Sequence, residues 1–268
     1  MKRTVERKVA LTIAGSDPGG GAGFQADLKT FAALGVYGYS TITAVIAQNS
    51  ATVSRCLPVD PAMVAAQVET LAAERPPDAI KTGALGTAAI VEAVADTLAR
   101  LQLAAPVVDP VLISTSGARL LDRAGERVLR ERVFPLARIV TPNLAEAQAL
   151  CGIRESNAAA IREMARVLRA AGARAVLIKG GHLNSPSEAT DLLYDGRGFT
   201  VLRAERIAGG GAHGLGCALS AAIAAYLALG MELAEAVRGA KQYVSAALRA
   251  SFKLGASARP LLDHFVRR

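Results

Sequence analysis

The chain has 268 residues, of which 51% are hydrophobic and 20% charged, so it can bury a full core and is not a disordered segment. Its net charge of +8 suits anionic small molecules. The basic residues are mixed with acids, as in residues 123–132 and 162–169, and no basic block is interleaved with aromatics, so no nucleic-acid partner is expected. Cys56, Cys151 and Cys217 are far apart and odd in number, which argues against a disulfide framework or a zinc site. The apolar run 9–14 is too short for a signal-peptide core and no stretch is long enough to cross a membrane. A cytoplasmic enzyme is expected, with one domain over residues 1–268.

In chain order, residues 9–14 read as a buried strand entering the loop Gly15-Ser16-Asp17-Pro18, followed by Gly19-Gly20-Gly21-Ala22-Gly23. A helix over 24–34 completes a strand–loop–helix unit. The loop lacks the Gly-Lys-Ser/Thr of a Walker loop and the glycine spacing of a dinucleotide fingerprint. Residues 40–47 are predicted as a central strand ending in Gln48-Asn49, and 61–74 as a helix. Strands are predicted at 79–83, 106–108 (delivering Asp109-Pro110), 138–140 and 175–178 (leading into Lys179-Gly180-Gly181-His182). Helices are predicted at 87–101, within 119–134, from Thr141-Pro142-Asn143 through Glu146, and at 156–170. Residues 191–194 and 199–202 form a predicted hairpin around Asp195-Gly196, and helices follow at 218–229 and 233–249. This alternation predicts an α/β fold whose mostly parallel central sheet has helices on both faces.

Five of the twelve residues 209–220 are glycine, and a helix follows directly. Free N–H groups at a helix start, with the positive end of its dipole, suit a phosphate oxygen. The same field is expected to lower the pKa of Cys217. Taken alone, the loop fits an anion hole and a flexible connection with a small buried Cys equally well. Asp17, Asp27, Gln48, Asp109, Asn143, Glu146, Lys179 and Cys217 are all predicted at one sheet edge. Asp109 with Glu146 suits Mg²⁺ and Lys179 suits phosphate, the parts that phosphoryl transfer uses. Singly, each also fits a turn, a helix cap or a solvated lysine.

Ala14-Gly-Ser-Asp-Pro-Gly-Gly-Gly-Ala-Gly-Phe-Gln-Ala-Asp-Leu-Lys-Thr-Phe31 resembles the opening signature of hydroxymethylpyrimidine/phosphomethylpyrimidine kinases, a thiamine-biosynthesis family of the ribokinase-like superfamily. Ala47-Gln48-Asn49, Val108-Asp109-Pro110-Val111, Thr141-Pro142-Asn143-Leu-Ala-Glu146, Lys179-Gly-Gly-His182, His213-Gly-Leu-Gly-Cys217 and Pro260-Leu-Leu-Asp-His-Phe265 resemble its later signatures in order. The resemblance covers residues 9–265.

It implies a three-layer α/β/α ribokinase-like fold, ATP and Mg²⁺ as cofactors, a small pyrimidine as substrate and a homodimer. Gln48 would bond the aminopyrimidine edge, with Ala22, Asp27, Ile46, Ala84 and Val111 around the ring. Asp109 and Glu146 would serve the metal, and Asn143, Lys179 and His213 the nucleotide. Gly214, Leu215, Gly216 and Cys217 would form the anion cradle, with Cys217 as base for an acceptor hydroxyl. Departures from the family pattern are Gly19 for Ser, Ala84 for Met, Thr115 for Lys, and Gly211, Ala212 and Leu215 for Asn, Thr and Thr. The loss of Met at Ala84 points to the second family step, monophosphate to diphosphate, as the main reaction. A pyridoxal or pyridoxine kinase is the alternative enzyme, and a non-catalytic pyrimidine-binding protein the alternative of another class.

Overall fold

The computed structural model describes residues 7–114, 117–180, 187–207, 211–255 and 259–266. Thr115, Ser116, Gly181, His182, Gly209 and Gly210 of the motifs above lie outside them. β1 (Val9–Ala14), α1 (Gly23–Ala33) and β2 (Tyr37–Ile42) lead to β3 (Ala44–Gln48), β4 (Val53–Pro58) and α2 (Pro61–Glu74). Then come β5 (Ala79–Thr82), α3 (Ala88–Arg100), β6 (Val107–Val108), α4 (Arg123–Val128), β7 (Ile139–Val140), α5 (Leu144–Cys151) and α6 (Ala158–Ala170). The chain closes with β8 (Val176–Ile178), β9 (Glu188–Tyr194), β10 (Phe199–Glu205), α7 (Leu215–Ala228) and α8 (Leu233–Arg249).

Eight strands form one sheet in the order β10-β9-β8-β7-β6-β5-β1-β2. The run from β2 to β8 is parallel and the β9–β10 hairpin is antiparallel. Successive strand residues face opposite sides of a sheet, and here both sides are covered. Leu11, Ile13, Ile80, Val108 and Val140 pack with residues of α2, α3, α5 and α6 such as Val64, Val94, Leu150 and Leu168. Ala10, Ala79, Val107 and Ile139 pack with residues of α1, α7 and α8 such as Phe31, Ile223 and Val237. The result is the expected three-layer α/β/α arrangement. Ala221, Ala222, Ala224 and Ala225 of α7 are fully buried, and their small side chains let α7 pack against α1, α8 and the sheet.

The predicted central strand over 40–47 is the main difference from the sequence reading. The chain divides at Thr43. β2 is the sheet's edge strand, and β3 leaves the sheet to pair antiparallel with β4, which the sequence reading did not foresee. Once β1 ends at Ala14, the parallel partner of β2 is gone, and buried backbone groups must pair elsewhere. Thr43 is tied to both neighbours, its N–H to Ala14 O and its hydroxyl to Ala84 O. Asn49 Oδ1 then accepts from the Ala51 and Thr52 N–H groups and closes the hairpin turn. A second difference concerns α7, which starts at Leu215 and not at residue 218, so Leu215, Gly216 and Cys217 fill its first turn.

Candidate active site

The C-terminal ends of β1, β5, β6, β7 and β8 open onto a cavity of about 260 Å³, the edge at which open α/β sheets bind ligands. Ala22, Ile46, Gln48, Ala84 and Val111 line it. Ile46 and Gln48 arrive on the β3–β4 hairpin, which is fixed to the sheet where Ile46 N–H donates to Ser16 Oγ and Ser16 N–H donates to Ala44 O. Asp27 does not fit its expected place beside the ring. It is fully buried beneath the cavity floor, where its Oδ2 accepts from Thr12 Oγ1 at 2.6 Å and Lys81 Nζ at 2.8 Å. Its position follows from α1, whose Ala26-Asp27 face turns to the sheet. Lys81, which the sequence reading did not assign to the site, takes the floor position. Burial pushes its pKa down, but Asp27, Cys217 and Asp109 outweigh burial and hold the ammonium above the usual lysine value.

The other half of the cavity is built on the start of α7. Gly214 caps it at φ +79°, and a Cβ there would lie 1.8 Å from Gly21 O, so only glycine fits. The N–H groups of Gly216 and Cys217 in the first turn have no helical acceptor. Gly216 also admits its neighbours: a Cβ there would meet Lys179 Nζ at 3.1 Å. Lys179 Nζ donates to Asp109 Oδ1 at 2.7 Å. Asn143 and Glu146 form a reciprocal cap of α5, with Glu146 N–H on Asn143 Oδ1 and Asn143 N–H on Glu146 Oε2. Burial, reinforced by the like charge of Asp109 and opposed by Lys179, raises the Glu146 carboxyl to about 7.

Two carboxylates, one held unfavourably ionised by burial and by the other, make a donor set that a divalent cation would relieve. No group of three or more His, Cys, Asp or Glu poised for a metal occurs among the described residues. The pair therefore fits Mg²⁺, which keeps most of its ligands as water and phosphate, better than a fully protein-ligated ion. A second cavity lies between β9, β10, α7 and α8 and shares Asn143, Lys179, Leu215 and Gly216 with the first. A phosphate chain passing between the two runs over Lys179 and the first turn of α7.

One expectation needs correction. Cys217 is not a low-pKa thiol. Desolvation is the largest effect and lifts it to about 11, against the opposing ammonium of Lys81; the helix-start field does not overcome burial. His213, expected at the nucleotide, lines the first cavity, which Asn143 and Lys179 also line, and not the second. Its Nε2 lies 2.8 Å from Asp17 Oδ2. The sequence reading also missed the partner of the Lys179 loop. Asp191 Oδ1 accepts from Gly180 N–H and its Oδ2 accepts from Lys241 Nζ. Its only sequence signal was a charged residue opening an apolar strand.

A family model described as phosphomethylpyrimidine kinase matches residues 17–262. The chain belongs to the phosphomethylpyrimidine kinase family. This kinase is 48% identical over 257 residues to the hydroxymethylpyrimidine/phosphomethylpyrimidine kinase of Synechococcus elongatus, covering 96% of this chain and 97% of the relative. Among solved structures it is similar to a Clostridium difficile phosphomethylpyrimidine kinase, with TM-score 0.80, 39% identity, and 90% and 100% of the two chains covered. It is also similar to a Staphylococcus aureus pyridoxal kinase in complex with AMP-PCP and pyridoxal, with TM-score 0.87, 35% identity, and 97% and 94% covered. The kinase is thus a phosphotransferase with the ribokinase-like fold, and no helix among the described residues is long and apolar enough to cross a membrane.

Proposed function

We propose that this kinase transfers the γ-phosphoryl group of ATP to 4-amino-5-hydroxymethyl-2-methylpyrimidine phosphate, making the diphosphate for thiamine biosynthesis, with the free alcohol as the weaker acceptor. The observation that carries this reading is the meeting of two cavities at Lys179 and the first turn of α7, with Ala84 leaving the ring end loose. An acceptor oxygen bonds to the γ-phosphorus as the bond from that phosphorus to the β,γ-bridging oxygen breaks, and ADP leaves with that oxygen. Gln48 bonds the aminopyrimidine edge, and Ala22, Ile46 and Val111 flank the ring. Lys179 and the N–H groups of residues 214–217 neutralise the transferring group, while Asn143 faces the nucleotide. Asp109 and Glu146 would hold Mg²⁺, which when bound offsets phosphate charge. An alcohol must also lose a proton, which Cys217 accepts; a phosphate acceptor needs no such step. We read the chain as one domain, because one eight-stranded sheet carries both helical layers, and as acting in the cytoplasm. Val45 and Leu57, 57% and 64% exposed on the hairpin, support a homodimer.

Steady-state kinetics with ATP and each acceptor tests the reading. The monophosphate is expected to show about tenfold or greater kcat/KM, since the missing methionine contact is on the order of 1–3 kcal/mol; comparable values overturn it. Cys217→Ser should lower the alcohol reaction about 100-fold and spare the monophosphate, and with the thiol near 11 kcat/KM for the alcohol should climb through the alkaline range. Equal losses on both acceptors would place Cys217 in the cradle alone. Pyridoxal is the second reading, favoured by the S. aureus complex, and as a third acceptor in the same assay it would displace the first if it turned over best.

A further inference from the structure

Asp17 is fully buried and both oxygens of its carboxylate are hydrogen-bonded. Oδ1 accepts from Gly19 N–H at 3.0 Å. Oδ2 accepts from Gly21 N–H at 3.1 Å and Ala22 N–H at 2.7 Å. These bonds wrap the glycine loop around the side chain and end at Ala22, the N-cap of α1. The fourth partner is His213 Nε2 at 2.8 Å, one residue before Gly214, the N-cap of α7. Burial pushes the Asp17 carboxyl up, but the bonds from His213, Ala22 and Gly19 outweigh it and hold it below the usual carboxylate value. An ionised carboxylate only accepts, so the imidazole donates.

The two loops are in van der Waals contact around this bond. A Cβ at Gly21 would strike His213 Cδ2 at 2.8 Å and Leu261 Cδ2 at 2.6 Å. His213 is backed from the other side, where its N–H donates to Pro260 O. Across the same junction the Gly23 N–H, at the start of α1, faces the Cys217 sulfur in the first turn of α7. One helix start therefore borders the acceptor end of the cavity and the other the phosphate end, and one buried hydrogen bond sets their separation.

We propose that Asp17 and His213 form a clasp between the two helix starts and act as positioning residues for phosphoryl transfer. The inference rests on reading this cavity as the transfer site. Transfer needs the acceptor oxygen and phosphorus in near contact, and a misplacement of about 1 Å costs on the order of 100-fold. Neither side chain needs to touch the substrate for its loss to be felt.

The test compares His213→Ala, His213→Gln, Asp17→Asn and the double variant His213→Ala/Asp17→Asn in the full chain. His213→Ala should lower kcat about 100-fold while KM for the acceptor and Kd for AMP-PCP stay within about threefold. His213→Gln, which keeps a donor near the Nε2 position, should restore most of kcat. The double variant should lose no more than the worse single one, as expected for partners in one interaction. Amide exchange read by mass spectrometry should rise in residues 18–23 of His213→Ala, which follow Asp17, the partner that lies 196 positions from His213 in sequence. Raised KM or Kd with kcat intact, additive losses, or unchanged exchange in residues 18–23 would overturn the clasp. If the wild type phosphorylates pyridoxal and not the pyrimidine phosphate, the substrate reading fails, and the clasp is judged on the acceptor that turns over and on the exchange.

Discussion

Two lysine–aspartate pairs lie at the first cavity and differ mainly in burial. Lys81 and Asp27 meet at 2.8 Å with both side chains 0% exposed. Lys179 and Asp109 meet at 2.7 Å with 14% and 3% exposure, at the shared edge of the two cavities. The first pair is sealed: Thr12 completes one carboxylate oxygen and no described group bonds the other. The second can be reached by a ligand, so a phosphate can take the ammonium and leave Asp109 for a cation. Burial turns the same chemistry into a fixed charge under the floor in one place and an exchangeable one in the other.

Breaking the sealed pair should give the largest effect. Lys81→Met leaves Asp27 buried without its cation and should lower unfolding free energy by about 3–5 kcal/mol in urea titration. Adding Asp27→Asn, which removes the charge and keeps an acceptor for Thr12, should recover at least half of that. No recovery would mean that the lysine acts through packing and not charge. Breaking the open pair should do the reverse. Lys179→Met should cost about 100- to 1,000-fold in kcat/KM for ATP and shift the melting temperature little. A fall in stability as large as that of Lys81→Met would erase the distinction between the pairs.

The smallest effect sharpens the comparison at Glu146, whose carboxyl is raised to about 7 by burial first and by Asp109 second. A raised folded-state pKa means that the native state holds a proton that the unfolded state has released. Its stabilisation is full below the unfolded value of about 4.5 and is lost as pH rises through about 7, on the order of 2 kcal/mol in the ligand-free protein. Thermal melts across this window should decline with pH for the wild type and flatten for Glu146→Gln. Excess Mg²⁺ with nucleotide should also flatten the wild-type curve. An identical slope in the variant would place the titration elsewhere.

The sequence was most legible where local chemistry decides the outcome. Asp60-Pro61 starts α2 where predicted because the carboxylate caps it and proline suits the first turn, and Asn143 with Glu146 announces its own capping box. The apolar runs at Val9–Ala14 and Val176–Ile178 could only be covered strands. The break at Thr43 was not legible, because it depends on where β1, a separate segment, runs out of partner. Asp27 was placed beside the ring because its motif is, whereas the pitch of α1 turns that side chain inward. Cys217 was misjudged by weighing the helix field without the burial that only the packed structure supplies.

The β3–β4 hairpin has a consequence for divergence. Ile46 and Gln48, which line the cavity, lie on β3, outside the main sheet, whereas Asp109 and Lys179 directly follow β6 and β8 of the main sheet and Gly214 caps α7. Five of the six β4 positions, Ser54 to Pro58, are exposed, so exchanging residues there disturbs little of the core. On the proposed reading, acceptor choice and phosphoryl transfer are thus written on separable parts of one chain. A lineage can trade one aromatic alcohol for another by editing a short hairpin while its transfer chemistry stays under unbroken selection, and kinases for pyrimidine and pyridine acceptors can share nearly the same backbone.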